Sequence, residues 1–276
     1  FHPDLVGRAA LLSYEQFMRA KAHLRPGGIF VQWIALNQFD RATLEVVLRT
    51  FARAFPEGGV FVSGYRMALV GGSAPARWGS AALRPLPPEA LEGDAPLSWL
   101  GRFWGYARDA AGSGPIQREW APVLEYRLPQ LQVRGVDLAR IWRWLLSWRR
   151  PAREAEAILG VPKAQRAAFA RAWKATDLLA RSWMHDLIRD SRRASLLAVE
   201  AWRAFPQDRW ARWTYADHLL AFGEEGLELA LAAAPDHPEA LRLKYRLARV
   251  KHAPDAEAWR RRLCKAWPLA FPECVH

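Results

Sequence analysis

The chain has 276 residues, of which 51% are hydrophobic and 25% charged, a composition typical of a globular protein of one or two domains and not of a disordered chain. Its uninterrupted apolar stretches fall well short of the roughly 18 residues that cross a bilayer, so the sequence predicts no transmembrane helix. The formal net charge is +12, most of it in the second half, and such a surface slows encounter with cations and favours anionic partners.

The first predicted elements are a helix and a strand. Ser13 is a favourable helix N-cap, and Gln16 can reach back to the backbone N–H of that cap, so the sequence predicts a helix that begins near Tyr14. A Pro-Gly-Gly sequence at residues 26–28 ends this helix. The short apolar run that begins at Ile29 then predicts a parallel strand buried on both faces.

A second helix and a hairpin follow. The pattern predicts a helix over residues 40–54 and two strands at residues 60–63 and 67–70, joined by a turn. We expect the first strand, residues 29–33, to pair in parallel with a strand outside this sequence. Within the chain it should be an exposed edge, or be covered by a second copy or by the hairpin.

An ordered set of motif residues occupies the first forty positions: His2, Pro3, Gly7, Leu12, Glu15, Phe17, Leu24, Pro26, Gly27, Gly28, Phe30, Gln32, Trp33, Gln38, Phe39 and Asp40. In this order they resemble the spermidine synthase family of aminopropyltransferases, most closely its transporter-fused bacterial branch. The resemblance implies that residues 1–73 form the C-terminal half of a methyltransferase-like (Rossmann-type) doubly wound sheet. The expected fold class is therefore α/β followed by all-α.

The resemblance also implies that the chain is the C-terminal part of a longer protein. The intact family domain binds decarboxylated S-adenosylmethionine on its first strands, and neither those strands nor a G-x-G-x-x-G motif occurs here. We therefore expect this chain alone to bind no such cofactor, and its first partner to be the missing N-terminal part. A cytoplasmic location, tethered to the inner membrane through that part, is the corresponding prediction.

Three site residues follow from the same resemblance. In the family, an acidic loop holds the substrate amine and accepts its proton; here His2 stands where the second Asp would be and Asp4 follows, so both are catalytic candidates. A structural His-Pro turn is the alternative. Gln32 is predicted at the carboxyl end of the first strand, where the family places a glutamine near the amine, and a strand-end hydrogen bond is its alternative. The sequence predicts no metal site.

Residues 74–135 are rich in Pro and Gly and predict a linker in which residues 97–111 form a helix. Family members usually carry a carboxylate pair in the segment that corresponds to residues 116–122. Here Arg118 and Trp120 stand at that place. The resemblance therefore implies no polyamine contact from this loop.

Residues 136–276 predict a helical domain. Its segments end at Pro206, Pro235 and Pro268, which lie 29 and 33 residues apart. This is close to the roughly 34-residue period of tetratricopeptide repeats. The sequence thus predicts two or three stacked tetratricopeptide-like helical hairpins, whose surface could bind a protein partner.

The start of this domain is rich in Trp and Arg. Over residues 138–150 the apolar side chains share one helical face, and four arginines (Arg140, Arg143, Arg149 and Arg150) point away from it. Such a helix is typical of an anionic membrane surface or a nucleic-acid platform, and equally of an ordinary helix that packs on its neighbours. Nucleic acid is the less favoured partner.

The spacing of Cys264 and Cys274 supports neither a disulfide framework nor a metal clip, and a reducing compartment is the simpler interpretation. Two classes of function remain. The first is a spermidine synthase-like domain in polyamine metabolism, incomplete and inactive as this chain alone. The second is a non-catalytic helical-repeat interaction module on a degenerate synthase fold, which the missing carboxylates favour.

Overall fold

A computed structural model describes residues 8–73, 96–268 and 270–274. In this part of the chain a small antiparallel sheet and its helices come first, and helices alone follow. The strands are β1 (Ile29–Ala35), β2 (Gly59–Ser63), β3 (Arg66–Gly72) and β4 (Phe103–Tyr106). The helices are α1 (Tyr14–Ala22), α2 (Arg41–Ala54), α3 (Pro96–Gly101), α4 (Val123–Arg134), α5 (Leu138–Trp148), α6 (Ala152–Leu159), α7 (Arg166–Leu187), α8 (Ser191–Ala204), α9 (Arg209–Leu220), α10 (Gly223–Ala233), α11 (Pro238–Val250) and α12 (Ala256–Ala266).

The first two helices begin at the residues that the sequence predicts. The Ser13 side chain accepts a hydrogen bond from the backbone N–H of Gln16 at 3.1 Å, which caps α1. Asp40 caps α2 in the same way through the N–H of Thr43 at 2.8 Å. These side chains satisfy donors that the first helical turn leaves without partners, so the predicted helix starts are confirmed.

The sheet has the strand order β1-β3-β2-β4, and every pair in it is antiparallel. The predicted hairpin of β2 and β3 is confirmed. Because β1 and β2 both run antiparallel to β3, they run parallel to each other, and α2 connects them along the chain. Within the described residues, β1 is an edge strand.

The prediction that β1 is buried on both faces is wrong. One face packs against α1 and α2, where the Phe30 ring contacts Phe17 with ring centres 6.0 Å apart. On the other face Ile29, Val31 and Trp33 are 66%, 41% and 44% exposed. The reason is that no described element covers this face of β1.

The predicted helix over residues 97–111 is also wrong, because this segment holds both α3 and the strand β4. β4 pairs with the outer edge of β2, which would otherwise leave its backbone groups unpaired. Phe103 and Trp104 are fully buried, and the Trp104 indole donates to the carbonyl of Leu145 at 2.8 Å. The predicted linker also contains α4, whereas its proline-rich first part, residues 74–95, lies outside the described residues.

The predicted Trp-rich and Arg-rich helix is confirmed as α5. Its apolar face lies in the core, since Ile141, Trp142 and Leu145 are buried. This packing accounts for the composition of the helix. On the polar side, Arg140 and Arg143 remain exposed.

Arg149 does not belong to an exposed basic face. Its guanidinium lies between the rings of Trp104 and Trp173, 4.4 and 4.0 Å from their centres, and donates to the carbonyl of Gly101 at 2.7 Å. Burial lowers the pKa of Arg149 to about 9, and the negative charge of Asp177 opposes this shift. The helical periodicity of residues 138–150 placed Arg149 on the exposed side of the helix. It could not predict the burial of Arg149, because the residues that surround its guanidinium come from distant segments.

Helices α7 to α12 form three consecutive hairpins in the described residues: α7 with α8, α9 with α10, and α11 with α12. Each hairpin ends just before one of the three prolines identified in the sequence. The residue before each proline leaves the helical conformation, with φ and ψ of −150° and 83° at Phe205, −137° and 82° at Ala234, and −138° and 64° at Trp267. Proline disfavours the helical conformation of the preceding residue, which explains the shared geometry.

Cys264 and Cys274 form a disulfide with Cα atoms 5.1 Å apart, so the prediction that their spacing supports no disulfide is wrong. After α12 the chain turns back through a short 3₁₀ helix, Pro272–Cys274, which brings the two cysteines together. This turn depends on packing that residue spacing does not reveal. Each helix in the described ranges is too short or too polar to cross a membrane.

Replacing both Cys264 and Cys274 with serine is expected to lower the free energy of unfolding by about 2–3 kcal/mol, because the bond closes a short loop in the unfolded chain. Urea denaturation without reductant measures the loss. The unaltered protein in excess reductant should match the double variant. Two reactive thiols in the unreduced, denatured protein would contradict the disulfide.

Candidate ligand-binding groove

A groove of about 790 Å³ lies at the carboxyl ends of β1 and β2. The sheet forms one side of it, and α9 with the residue after α12 forms another. The groove lining includes the indole rings of Trp33, Trp99, Trp210, Trp213 and Trp267.

The turn between β2 and β3 places Tyr65 and Arg66 at the groove. Gly64 makes this turn possible, since its φ of +56° lies in the left-handed region that side chains disfavour. The Trp210 ring packs over the glycine, with its nearest atom 3.7 Å from the position a Cβ would take. The turn therefore contacts α9 directly.

One carboxylate organises the far wall of the groove. The Asp236 side chain accepts from the Trp213 indole at 3.2 Å and pairs with Arg209 at 3.3 Å. The Trp267 indole donates to the backbone carbonyl of Asp236 at 3.1 Å. The Arg209 guanidinium lies over both rings, 4.2 Å from the centre of Trp213 and 5.4 Å from that of Trp267. These contacts fix the wall before any ligand arrives.

Successive indole contacts connect this wall to the core. The ring centres lie 5.4 to 6.3 Å apart along the series, within the usual range of aromatic pairs. The series runs through Trp104, Trp142, Trp183, Trp210, Trp213 and Trp267. It ties the sheet, α5, α7, α9 and the end of α12 into one packed unit.

A buried ion pair connects the start of α9 to the residue before β4. Arg102, just before β4, contacts Asp208 at 3.3 Å, and both side chains are almost completely buried. Asp208 also caps α9 by accepting from the N–H of Ala211 at 2.9 Å. The Arg102 guanidinium lies 4.4 Å from the ring centre of Trp99, a groove residue. The pair thus links the position of α9 to the sheet.

Arg66 is the charge of the groove that lacks a described carboxylate partner, because Arg209 is already paired with Asp236. Among the described residues that line it, Arg66 and Arg209 carry charge and no carboxylate does. Arg66 is exposed and forms no ion pair with any described residue. Burial and the nearby Asp186 raise the pKa of Tyr65, so its phenol remains a neutral hydrogen-bond donor at neutral pH.

The residues predicted from the sequence lie elsewhere. His2 and Asp4 fall outside the described residues. Gln32 lies in the middle of β1, three residues before its end, and its amide donates to the carbonyl of Trp33 at 2.9 Å. Because neighbouring side chains of a strand point to opposite faces, Gln32 faces α1 and α2 while Trp33 faces the groove side. The binding role of Gln32 stays a prediction.

The loop at residues 116–122 is attached to α1. Arg118 pairs with Glu15 at 3.1 Å, and Glu119 pairs with Arg19. Burial raises the pKa of Glu15, but hydrogen bonds from backbone N–H groups and from Arg118 outweigh it, so the pKa is lowered. Gln117 is fully buried and accepts from the N–H of Leu124 at 2.9 Å. These contacts give the loop a structural role.

The sequence did not reveal the groove. Its aromatic residues come from β1, the turn between β2 and β3, α3, α9 and the residue after α12, so no spacing along the chain connects them. The only signal was the abundance of tryptophan, with 15 in the chain. The described part of the chain contains no group of three or more His, Cys, Asp or Glu residues that could hold a metal ion.

Comparisons with protein-family models, with curated proteins and with solved structures each found no match. The resemblance to spermidine synthases therefore rests on the motif residues of the first forty positions.

Proposed function

We propose that this chain is the C-terminal part of a spermidine synthase-like, Rossmann-type doubly wound domain, followed by tetratricopeptide-like helical hairpins, and that it is inactive by itself. The observation that carries the proposal is the path of β1, α2 and β2. Two parallel strands joined through a helix are the repeating unit of doubly wound sheets, and here β3 is inserted between them.

The edge of β1 supports the proposal that a further part of the same protein completes the sheet. In the described residues, the edge of β1 that faces away from β3 has no partner strand, and the apolar side chains on one face of β1 are exposed. Exposed apolar edge strands invite pairing with another strand. A strand from the missing N-terminal part would satisfy the backbone groups of β1 and cover Ile29 and Val31.

In the completed domain, decarboxylated S-adenosylmethionine would bind to strands outside this sequence, with His2, Asp4 and Gln32 near the amine substrate. In a longer protein that includes these strands, Gln32→Ala is expected to lower aminopropyl transfer to putrescine at least tenfold. Loss of one positioning contact in the transition state costs on the order of 1.4 kcal/mol, which is a factor of ten. A radiolabelled transfer assay measures the rate.

Arg143→Ala, on the exposed side of α5, is the matched control and should leave transfer unchanged. The 276-residue chain alone should neither catalyse transfer nor bind the cofactor in calorimetry. Micromolar cofactor binding to the chain alone would overturn the proposed position of this sequence in the fold. Transfer that survives Gln32→Ala would remove the site assignment and keep the enzyme class.

A non-catalytic interaction module is the second candidate, and the charge of the groove favours it. Arg66 lies at the groove with no carboxylate partner among the described residues, so a cationic amine would meet an uncompensated positive charge there. The helical hairpins would then bind a protein partner, and the exposed Arg140 and Arg143 an anionic membrane surface. Absence of transfer to any common amine from the longer protein would select this candidate.

The compartment belongs to the proposal as well. The disulfide between Cys264 and Cys274 does not support the predicted cytoplasmic location, because disulfides persist mainly in oxidising compartments. Thiol trapping during cell lysis would show whether the bond exists in the cell.

A further inference from the structure

We infer that the groove at the ends of β1 and β2 is a binding site for a small planar aromatic anion, such as an aromatic carboxylate. This inference concerns a ligand that neither candidate function assigns. It does not depend on aminopropyl transfer, because the residues proposed for that reaction are not among the described residues of the groove.

The size and lining of the groove fit a small aromatic molecule. Its volume of about 790 Å³ falls within the roughly 300–1,000 Å³ of small-molecule sites. Five indoles and the Tyr65 ring give it flat apolar walls. A planar ring can stack against such walls or meet their edges, which aliphatic groups cannot do as favourably.

The charge selects an anion. Arg66 presents a guanidinium at the groove with no carboxylate partner among the described residues. A guanidinium binds carboxylates and phosphates through two parallel hydrogen bonds, and the neutral phenol of Tyr65 can donate a third. A cation of the same shape would meet Arg66 with no described carboxylate to offset it, whereas Arg209 is already paired with Asp236.

The wall is already in place for binding. Trp213 and Trp267 are held by hydrogen bonds to Asp236, and the Arg209 guanidinium packs on both rings. Trp210 is fixed against Gly64. A ligand therefore pays little ordering entropy on this side, which favours affinity.

Three probes test the contributions of the aromatic ring and of the negative charge independently. They are naphthalene-2-carboxylate, the cationic 2-naphthylmethylamine, and cyclohexanecarboxylate, which keeps the carboxylate and lacks the aromatic ring. Calorimetry and saturation-transfer NMR on the full chain are the measurements. We expect naphthalene-2-carboxylate to bind at one saturable site. The other two probes should bind at least tenfold more weakly.

Two surface variants locate the site. Arg66→Ala and Trp33→Ala each change an exposed side chain of the groove and should weaken naphthalene-2-carboxylate at least tenfold. Arg143→Ala removes an exposed arginine outside the groove and should leave its affinity unchanged. Circular dichroism confirms that each variant is folded.

Three results would overturn the inference. The first is the lack of saturable binding of naphthalene-2-carboxylate at millimolar concentration. The second is equal affinity for the cationic probe, which would remove the role of charge. The third is an equal effect of Arg66→Ala and Arg143→Ala, which would place any binding outside the groove.

Discussion

Replacing Arg102 with methionine is expected to lower the free energy of unfolding by about 3–5 kcal/mol, because it leaves the Asp208 carboxylate buried without its cation. Both residues are buried, with 2% and 0% exposure. The methionine fills much of the same volume, so the loss reports mainly the unpaired charge. Urea denaturation followed by circular dichroism measures it.

A double variant separates charge from packing. Asp208→Asn removes the negative charge and retains an oxygen that can accept from the N–H of Ala211, so α9 keeps its cap. Combined with Arg102→Met, it should recover more than half of the lost stability. A loss below about 1 kcal/mol for Arg102→Met alone would show that water reaches Asp208 and that the pair contributes little.

Trp142→Ala is expected to lower the free energy of unfolding by about 3–5 kcal/mol, since a fully buried large side chain is lost and a cavity remains. Trp142 contacts Trp104 and Trp183, with ring centres 6.2 and 5.5 Å away. It therefore joins the sheet side of the core to α7. Thermal and urea unfolding, monitored by tryptophan fluorescence, give the loss.

Trp142→Phe is the matched control. The Trp142 indole N–H has no acceptor in the described part of the chain, so phenylalanine loses no hydrogen bond and keeps most of the ring. We expect it to cost less than half as much as alanine. Trp104→Phe, by contrast, loses the bond to the Leu145 carbonyl and should cost more than Trp142→Phe. Equal costs at the two positions would contradict this assignment.

The sequence predicted several local features of the fold. The caps of α1 and α2, the β2 and β3 hairpin and the ends of the helical hairpins before proline all follow from interactions within a few residues. Such local preferences act in the same way whatever the rest of the chain does. The Rossmann-type arrangement of the whole sheet stays a prediction.

Three other features of the structure were not predicted correctly from the sequence. The aromatic content of residues 103–106 is compatible with a helix or a strand. They form a strand because they pair with the free edge of β2. Arg149 belongs to a basic run, but its partners Gly101 and Trp173 come from other elements. Gln32 was expected at a strand end and lies three residues before it, since β1 continues to Ala35.

By itself, the sequence determined where α1 and α2 begin, where the three helical hairpins end and where the β2–β3 hairpin lies, because caps, prolines and turn glycines act on the backbone beside them. The tertiary structure alone decided the groove, the disulfide and the burial of Arg102 and Arg149. Each of these depends on residues distant in sequence that meet only after the hairpins pack on the sheet. Sequence periodicity does not predict these long-range contacts, because they depend on how several helices and strands pack together.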